Sequence, residues 1–148
     1  MENEGWKNSD ELGWGIVAEP GQTYDGGQTP HGYRRIQAWQ RAFELALKCY
    51  SLTQDFPKSE MYGLSSHMQR AAVSIPANIA EGWGRHGQTE LARFIDIALG
   101  SLCELETFVL LAQRLEYGNQ KVAREILTEA DEIGKMLRAF RRRIKGQS

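Results

Sequence analysis

Between Glu60 and Val109 the sequence leaves little choice of fold. Apolar residues fall at Met61, Leu64, Met68, Ala72, Ile75 and Ile79, in the steps of three and four that line up on one face of a helix. After a short Gly-rich break the pattern resumes at Leu91, Phe94 or Ile95, Ala98, Leu102, Leu105 and Val109. Two amphipathic helices joined by so few residues must lie antiparallel and bury their stripes against each other. Gly82-Trp83-Gly84-Arg85-His86-Gly87 reads as the turn between them, a C-capping loop. A phosphate cradle is the rival reading, with Arg85 helping, but it lacks both the phosphate-loop lysine pattern and a preceding strand.

Beside the apolar seam runs a polar set at helical spacing: His67, Arg70, Ser74, Asn78 and Glu81, with Ser101 and Glu104 on the following helix. Ala71, Ala72, Ala77, Ala80, Ala98 and Gly100 crowd around them, and small side chains let helix backbones approach closely. Arg70, Ser74, Asn78, Glu81, Ser101 and Glu104 are therefore expected to form a structural polar network that fixes helix register or a subunit contact. A solvated helix face is the alternative. Any buried Arg or Glu in such a network must be paired.

The flanking segments supply two more helices. One is expected from about Arg35 to Gln54, with Ile36, Trp39, Phe43, Ala46, Leu47 and Tyr50 as its buried stripe and Trp39 in the core. It must end before Pro57, because the residue preceding a proline disfavours the α conformation, and Ser59 is the expected N-cap of the next helix. Pro76 interrupts that second helix, yet the apolar stripe stays in phase across it, so one kinked helix is expected. The last helix runs from about Asn119, its N-cap, to Ile144, on Val122, Ile126, Ala130, Ile133, Leu137, Phe140 and Ile144. The fold class is all-α, an antiparallel up-down four-helix bundle over residues 33–148.

The net charge of −1 hides a split. Residues 1–31 set Lys7 against Glu2, Glu4, Asp10, Glu11, Glu19 and Asp25, a net −5, so residues 32–148 carry +4. An acidic N-terminal segment thus precedes a basic body. The positive charge gathers at the end of the last helix in Arg138, Arg141, Arg142, Arg143 and Lys145. Cations there complement the helix dipole, but five within eight residues exceed what capping requires. With Arg85 they form the candidate nucleic-acid-binding set.

The first 32 residues are punctuated by Pro20, Gly21, Gly26, Gly27, Pro30 and Gly32 and show no helical period, the composition of a segment disordered when left alone. They nevertheless hold Trp6, Trp14, Ile16, Val17 and Tyr24. Trp6, Trp14 and Tyr24 are candidates for docking on a partner or a neighbouring subunit; an extension that folds over its own basic body is the alternative.

With 148 residues, 41% of them hydrophobic, the chain is long enough for one domain with a real core. It shows neither a membrane span nor a signal peptide. Cys49 and Cys103 lack metal-ligand spacing and fit a reduced, cytoplasmic protein. Of His31, His67 and His86, none completes a zinc-protease pattern, and none lies three residues after a Glu as bundle di-iron sites require. Glu104 and Glu106 point to different helix faces. No nucleophile is paired with a base, so no enzyme activity, metal, cofactor or small-molecule substrate is expected.

Four ordered motifs add a resemblance: Tyr33-Arg-Arg-Ile-Gln-Ala-Trp39-Gln-Arg-Ala42, Phe56-Pro-Lys-Ser-Glu60 with Tyr62-Gly-Leu64, Arg70-Ala-Ala-Val-Ser-Ile-Pro-Ala-Asn-Ile-Ala-Glu-Gly82, and Ala98-Leu-Gly-Ser-Leu-Cys-Glu-Leu-Glu-Thr107. Residues 33–117 resemble the four-helix-bundle family of large-subunit ribosomal RNA intervening-sequence proteins, itself similar to the accessory (Avd-like) proteins of diversity-generating retroelements. The resemblance implies a homopentamer without catalytic activity and, from the retroelement branch, binding of RNA and a reverse transcriptase. His67 and Gln69 stand where it would lead to Gln and a basic residue, and Gly87 where a Ser or Thr cap is usual. A non-enzymatic scaffold for nucleic acid, or for a nucleic-acid enzyme, follows. The other reading is a scaffold that binds protein alone, through the N-terminal segment.

Overall fold

The computed structural model describes residues 32–146, apart from the side chains of Lys145 and Gly146. The N-terminal segment, including the candidate docking residues Trp6, Trp14 and Tyr24, and the Lys145 side chain lie outside the described residues. Those described fold into four α-helices without a β-strand: α1 Gln37–Thr53, α2 Leu64–Gly84, α3 Gln88–Arg114 and α4 Gln120–Gly146. A 3₁₀ turn over Gly32–Arg35 leads into α1, and another over Lys58–Glu60 precedes α2. Successive helices pack on one another, and α1 closes the bundle against α4. None of these helices is long and apolar enough to cross a membrane.

The stripes expected for the second, third and fourth helices are the core. Met68, Ala72, Ile75 and Ile79 of α2 meet Leu91, Ile95, Ala98, Leu102, Leu105 and Val109 of α3, and Ile126, Ala130, Ile133, Leu137, Phe140 and Ile144 of α4 close it. Pro76 is accommodated inside one continuous α2, as the unbroken phase of its stripe required. Met61 departs from this pattern: it lies before α2 and stays 56% exposed.

The first helix corrects the expected stripe. Its buried face is Ala38, Ala42, Leu45, Ala46, Cys49 and Leu52, whereas Phe43, Leu47 and Tyr50 remain 45%, 53% and 44% exposed. Ile36 and Ala46 of the expected set are buried, but the face as a whole is displaced by one residue, about 100° around the helix. Small side chains give the physical reason: Ala38, Ala42 and Cys49 let α1 approach its neighbours closely, leaving the larger residues outside. Trp39 is correspondingly half-buried, at the rim, its ring 5.3 Å from those of Tyr33 and Phe43. Burial pushes the Cys49 thiol up to about 12, so it is an inert core residue.

The helix ends show which chemistry caps them. Asn119 caps α4 as expected, its Oδ1 accepting from the Val122 N–H at 3.1 Å. Ser59 does not cap α2; it sits inside the 3₁₀ turn. Glu60 caps it instead, its Oε2 accepting from the Leu64 N–H at 2.9 Å, where the helix dipole favours a carboxylate. Gly87 begins α3 with no side-chain cap.

The turn between α2 and α3 is shorter than its glycines implied. Gly82 and Gly84 belong to α2, and the left-handed residue in the turn is His86, with φ 58°. Gly82 serves packing instead, since a Cβ there would lie 2.9 Å from Phe94 Cβ and 3.2 Å from Leu91 Cδ1. The helices therefore touch backbone to side chain at this end. Gly82→Ala should lower stability by a net ~1–2 kcal/mol: forcing the helices apart outweighs the gain of up to ~1 kcal/mol that Ala brings to a helix interior. The check is the urea midpoint followed by helical circular dichroism; an unchanged or higher midpoint would show that the two helices separate freely.

Candidate nucleic-acid interface

The up-down path brings four points of the chain to one end of the bundle: the turn before α1, the end of α2, the start of α3 and the end of α4. Gly32 approaches Trp83 at this end, a Cβ on it lying 3.7 Å from the indole nitrogen. Arg34, Arg35, Arg85, Arg93, Arg138, Arg141, Arg142 and Arg143 all belong to these segments, against Glu81, Glu90 and Asp96. At the opposite end Asp55, Lys58, Glu60, Arg114, Glu116 and Lys121 balance. The positive excess of the folded region is thus concentrated at one end.

The arginines differ in how firmly they are held. Arg85 pairs with Glu81 one turn earlier, Nη2 to Oε1 at 2.9 Å, and its guanidinium stands 5.4 Å from the Phe94 ring centroid. Arg93 reaches the same ring at 4.7 Å and pairs with Glu90 at 3.4 Å. Phe94 is thereby a shared cation–π platform, set by its position against Gly82. Arg141 crosses from α4 to α3, Nε donating to Asp96 Oδ1 at 2.8 Å. That hydrogen bond holds the Arg141 pKa above its ordinary value. A cleft of about 350 Å³ opens beside it, lined by Thr89, Ala92, Arg93, Asp96, Arg141 and Ile144 among others.

Arg138, Arg142 and Arg143 are not fully buried and have no carboxylate partner among the described residues. Arg138, Arg141 and Arg142 share a face of α4 by their spacing, while Arg143 is turned away from it. Arg34, Arg35 and Arg93 join this end although the sequence analysis did not single them out. The signal for Arg34 and Arg35 was the pair immediately before the first helix, which only the up-down topology brings to the end where the last helix finishes.

The expected polar network is assembled in part. Ser74 and Ser101 hydroxyls meet across α2 and α3 at 2.8 Å, and Asn78 Nδ2 donates to the Ser74 carbonyl and hydroxyl at 2.7 and 2.9 Å. Glu81 turns to Arg85 instead. Arg70 and Glu104 are exposed and join no partner among the described residues. His67 packs its ring 5.7 Å from Phe108. Of the small residues, Ala71, Ala72 and Ala98 are buried, whereas Ala77 and Gly100 face out. A cross-bundle pair that the sequence analysis did not find, Arg41 Nε to Glu129 Oε1 at 2.6 Å, ties α1 to α4 and holds the Arg41 pKa up through that hydrogen bond.

No group of three or more His, Cys, Asp or Glu side chains among the described residues is arranged to hold a metal ion. What this end offers chemically is free and half-held guanidinium groups around an apolar platform, a surface suited to polyanions. Asp96→Asn removes the carboxylate that holds Arg141 and should raise the salt concentration at which the protein leaves heparin. The melting temperature should change little, because exposed pairs contribute little. Earlier elution would show that Asp96 orients Arg141 productively rather than neutralising it.

Comparison with known proteins agrees with this architecture. The model of the family described as 23S rRNA-intervening sequence protein matches residues 34–139. Among solved structures the chain is similar to a protein from Bacteroides thetaiotaomicron, described as of unknown function and from the S23 ribosomal protein family. The two share 23% identity with a TM-score of 0.64, over 71% of this chain and 95% of that one; the likeness is one of fold. No curated protein matches the chain.

Proposed function

The chain belongs to the 23S rRNA-intervening sequence protein family, and on that premise we propose that it is a non-enzymatic helical scaffold for RNA. The observation that carries this reading is the one-ended charge. Arg138, Arg142 and Arg143 stand free of carboxylates among the described residues, beside the half-held Arg85, Arg93 and Arg141. A cluster of this kind binds phosphate backbones by releasing their counterions, which requires no base-specific contact. Lys145 continues the row in sequence. A cytoplasmic setting, where RNA and reduced thiols coexist, fits the exposed free Cys103.

The assembly we propose is a homopentamer. Its support is the surface left on α3 beside the polar seam, where Ile97 and Leu111 are 39% and 49% exposed, continued by Leu115 at 52%, in line with Glu104. A second copy would bury these apolar groups and give Glu104 a partner. Five copies around one axis would gather their basic ends into a single ring, and such a ring is a platform on which an RNA and a reverse transcriptase or another nucleic-acid enzyme could meet.

Two measurements test this reading. Arg138→Ala, Arg142→Ala and Arg143→Ala together should weaken binding of a structured RNA by at least roughly ten-fold. They should also flatten the dependence of log affinity on log salt by about 2, since each lost phosphate contact removes ~0.7–0.9. If affinity and slope both stay put, the arginines merely cap α4. Native mass spectrometry should give five chains carrying ribonuclease-sensitive mass. A clean oligomer without RNA would move the function to protein binding; a monomer would remove the assembly.

A further inference from the structure

On the other flank of α2 lies an apolar groove that the scaffold reading does not use. Tyr33, Trp39, Phe43, Leu47 and Tyr50 form one wall, and Val73, Pro76, Ala77 and Ala80 of α2 form the other. Its volume is about 400 Å³. Phe43, Leu47, Tyr50 and Val73 are each more than two-fifths exposed, so a contiguous aromatic and aliphatic surface faces outward. Such a patch marks a binding surface rather than scattered surface hydrophobicity.

We propose that this groove is the docking site for residues 14–17 of the same chain, Trp14-Gly15-Ile16-Val17. Three observations favour that occupant. The first is connection: the chain enters the described structure at Gly32, and the next residue, Tyr33, is already part of the groove wall. Trp14 lies eighteen positions before Gly32, a stretch that reaches up to roughly 60 Å when extended. The groove from Trp39 to Tyr50 is only about 17 Å long, at 1.5 Å per helical residue. The second is chemistry: Trp14, Ile16 and Val17 are the densest apolar cluster before residue 32. The third is charge. Asp10 and Glu11 precede the cluster, and Glu19 and Asp25 follow it. The groove is flanked at one end by exposed Arg35 and at the other by Arg70, which has no partner among the described residues. A segment laid along the groove, with Glu19 and Asp25 nearer the Tyr33 end, sets acid against base at both ends. Being tethered, it competes at the millimolar effective concentration of a short linker, ahead of any partner in solution. The inference is independent of RNA binding.

Paired cysteines in the full-length chain test this without removing an anchor. Gly15→Cys is combined with Ala77→Cys, an exposed small residue of the groove wall, in a Cys103→Ser background; Cys49 is buried and unreactive. The control pairs Gly15→Cys with Gly100→Cys, an exposed position of α3 with open space around it. A short bis-maleimide should link the two introduced thiols within one chain, at least roughly ten-fold faster than in the control, with the product running at monomer mass on a denaturing gel. Trp14→Ser and Ile16→Ser added to the pair should bring the rate down to the control's. Equal rates in the two pairs would overturn the proposal by showing that the segment samples the surface without docking. Chain-to-chain products would overturn it in favour of a second copy. Unreacted thiols would overturn it in favour of a groove that the segment never reaches.

Discussion

The closeness of α2 to α3 is the constraint from which the other features follow. It is set by Gly82 against Phe94 and Leu91 and sustained along the helices by buried Ala71, Ala72 and Ala98. Only at this separation can two short serine side chains, Ser74 and Ser101, meet directly at 2.8 Å. The same approach pins the buried Phe94 ring at the end of the bundle, beneath Arg85 and Arg93. Small residues thus decide the position of large charges, which is how an interior packing detail reaches the surface where polyanions would bind.

Charge at that surface is arranged by topology rather than by sequence proximity. An up-down bundle alternates helix ends, so segments separated by about a hundred residues share one end while their sequence neighbours lie at the other. Arg34 and Arg35, in the turn packed on α1 and α2, come in this way to the end at which α4 finishes. The carboxylates follow a different logic. Glu125 and Glu129 of α4 pair across to Lys48 and Arg41 of α1, and Asp131 and Glu132 pair with Lys135 along α4 itself, so the cations of the bundle's waist are matched by carboxylates while its end stays positive. Exposed pairs of this kind add little stability; their larger consequence is where they leave the net charge.

Three of the four helices are legible in the sequence because their periodicity is carried by large residues that are buried. Leu91, Ile95, Leu102, Leu105 and Val109 do not allow a second phase. The first helix is easily misread because small residues make up most of its buried face and only Leu45 and Leu52 among its large ones are fully buried. Ala38, Ala42 and Cys49 lose to Trp39, Phe43 and Leu47 in any reading weighted by side-chain size, yet the small set packs closer. Local capping is legible where one residue type dominates, as with Asn119, and is hidden at Ser59, where a carboxylate with a longer reach outcompetes a hydroxyl. The glycines of the α2–α3 turn suggest a loop because Gly is the usual residue there; Gly82 is instead demanded by a neighbouring helix, information that no local window contains. The basic end of α4 can be read as a run, but the separation of Arg141 from Arg138, Arg142 and Arg143 depends on Asp96, forty-five residues away.

The misread helix is also the more informative one. A chain under selection only to fold would gain by burying Phe43, Leu47 and Tyr50, since each buried large apolar side chain contributes ~1.5–3 kcal/mol. This bundle holds them at the surface while alanines fill the core beneath, so the groove is maintained against the drive to bury it. Exposed aromatics of that density raise the risk of indiscriminate association. A tethered segment with its own apolar residues, and acidic residues on both sides, offsets that risk without giving up the surface. Apart from Arg35, which borders both, the basic end and the apolar groove lie on different parts of the bundle, so Arg138, Arg142 and Arg143 of α4 stay open when the groove is filled. That separation, more than either surface alone, is what a scaffold requires.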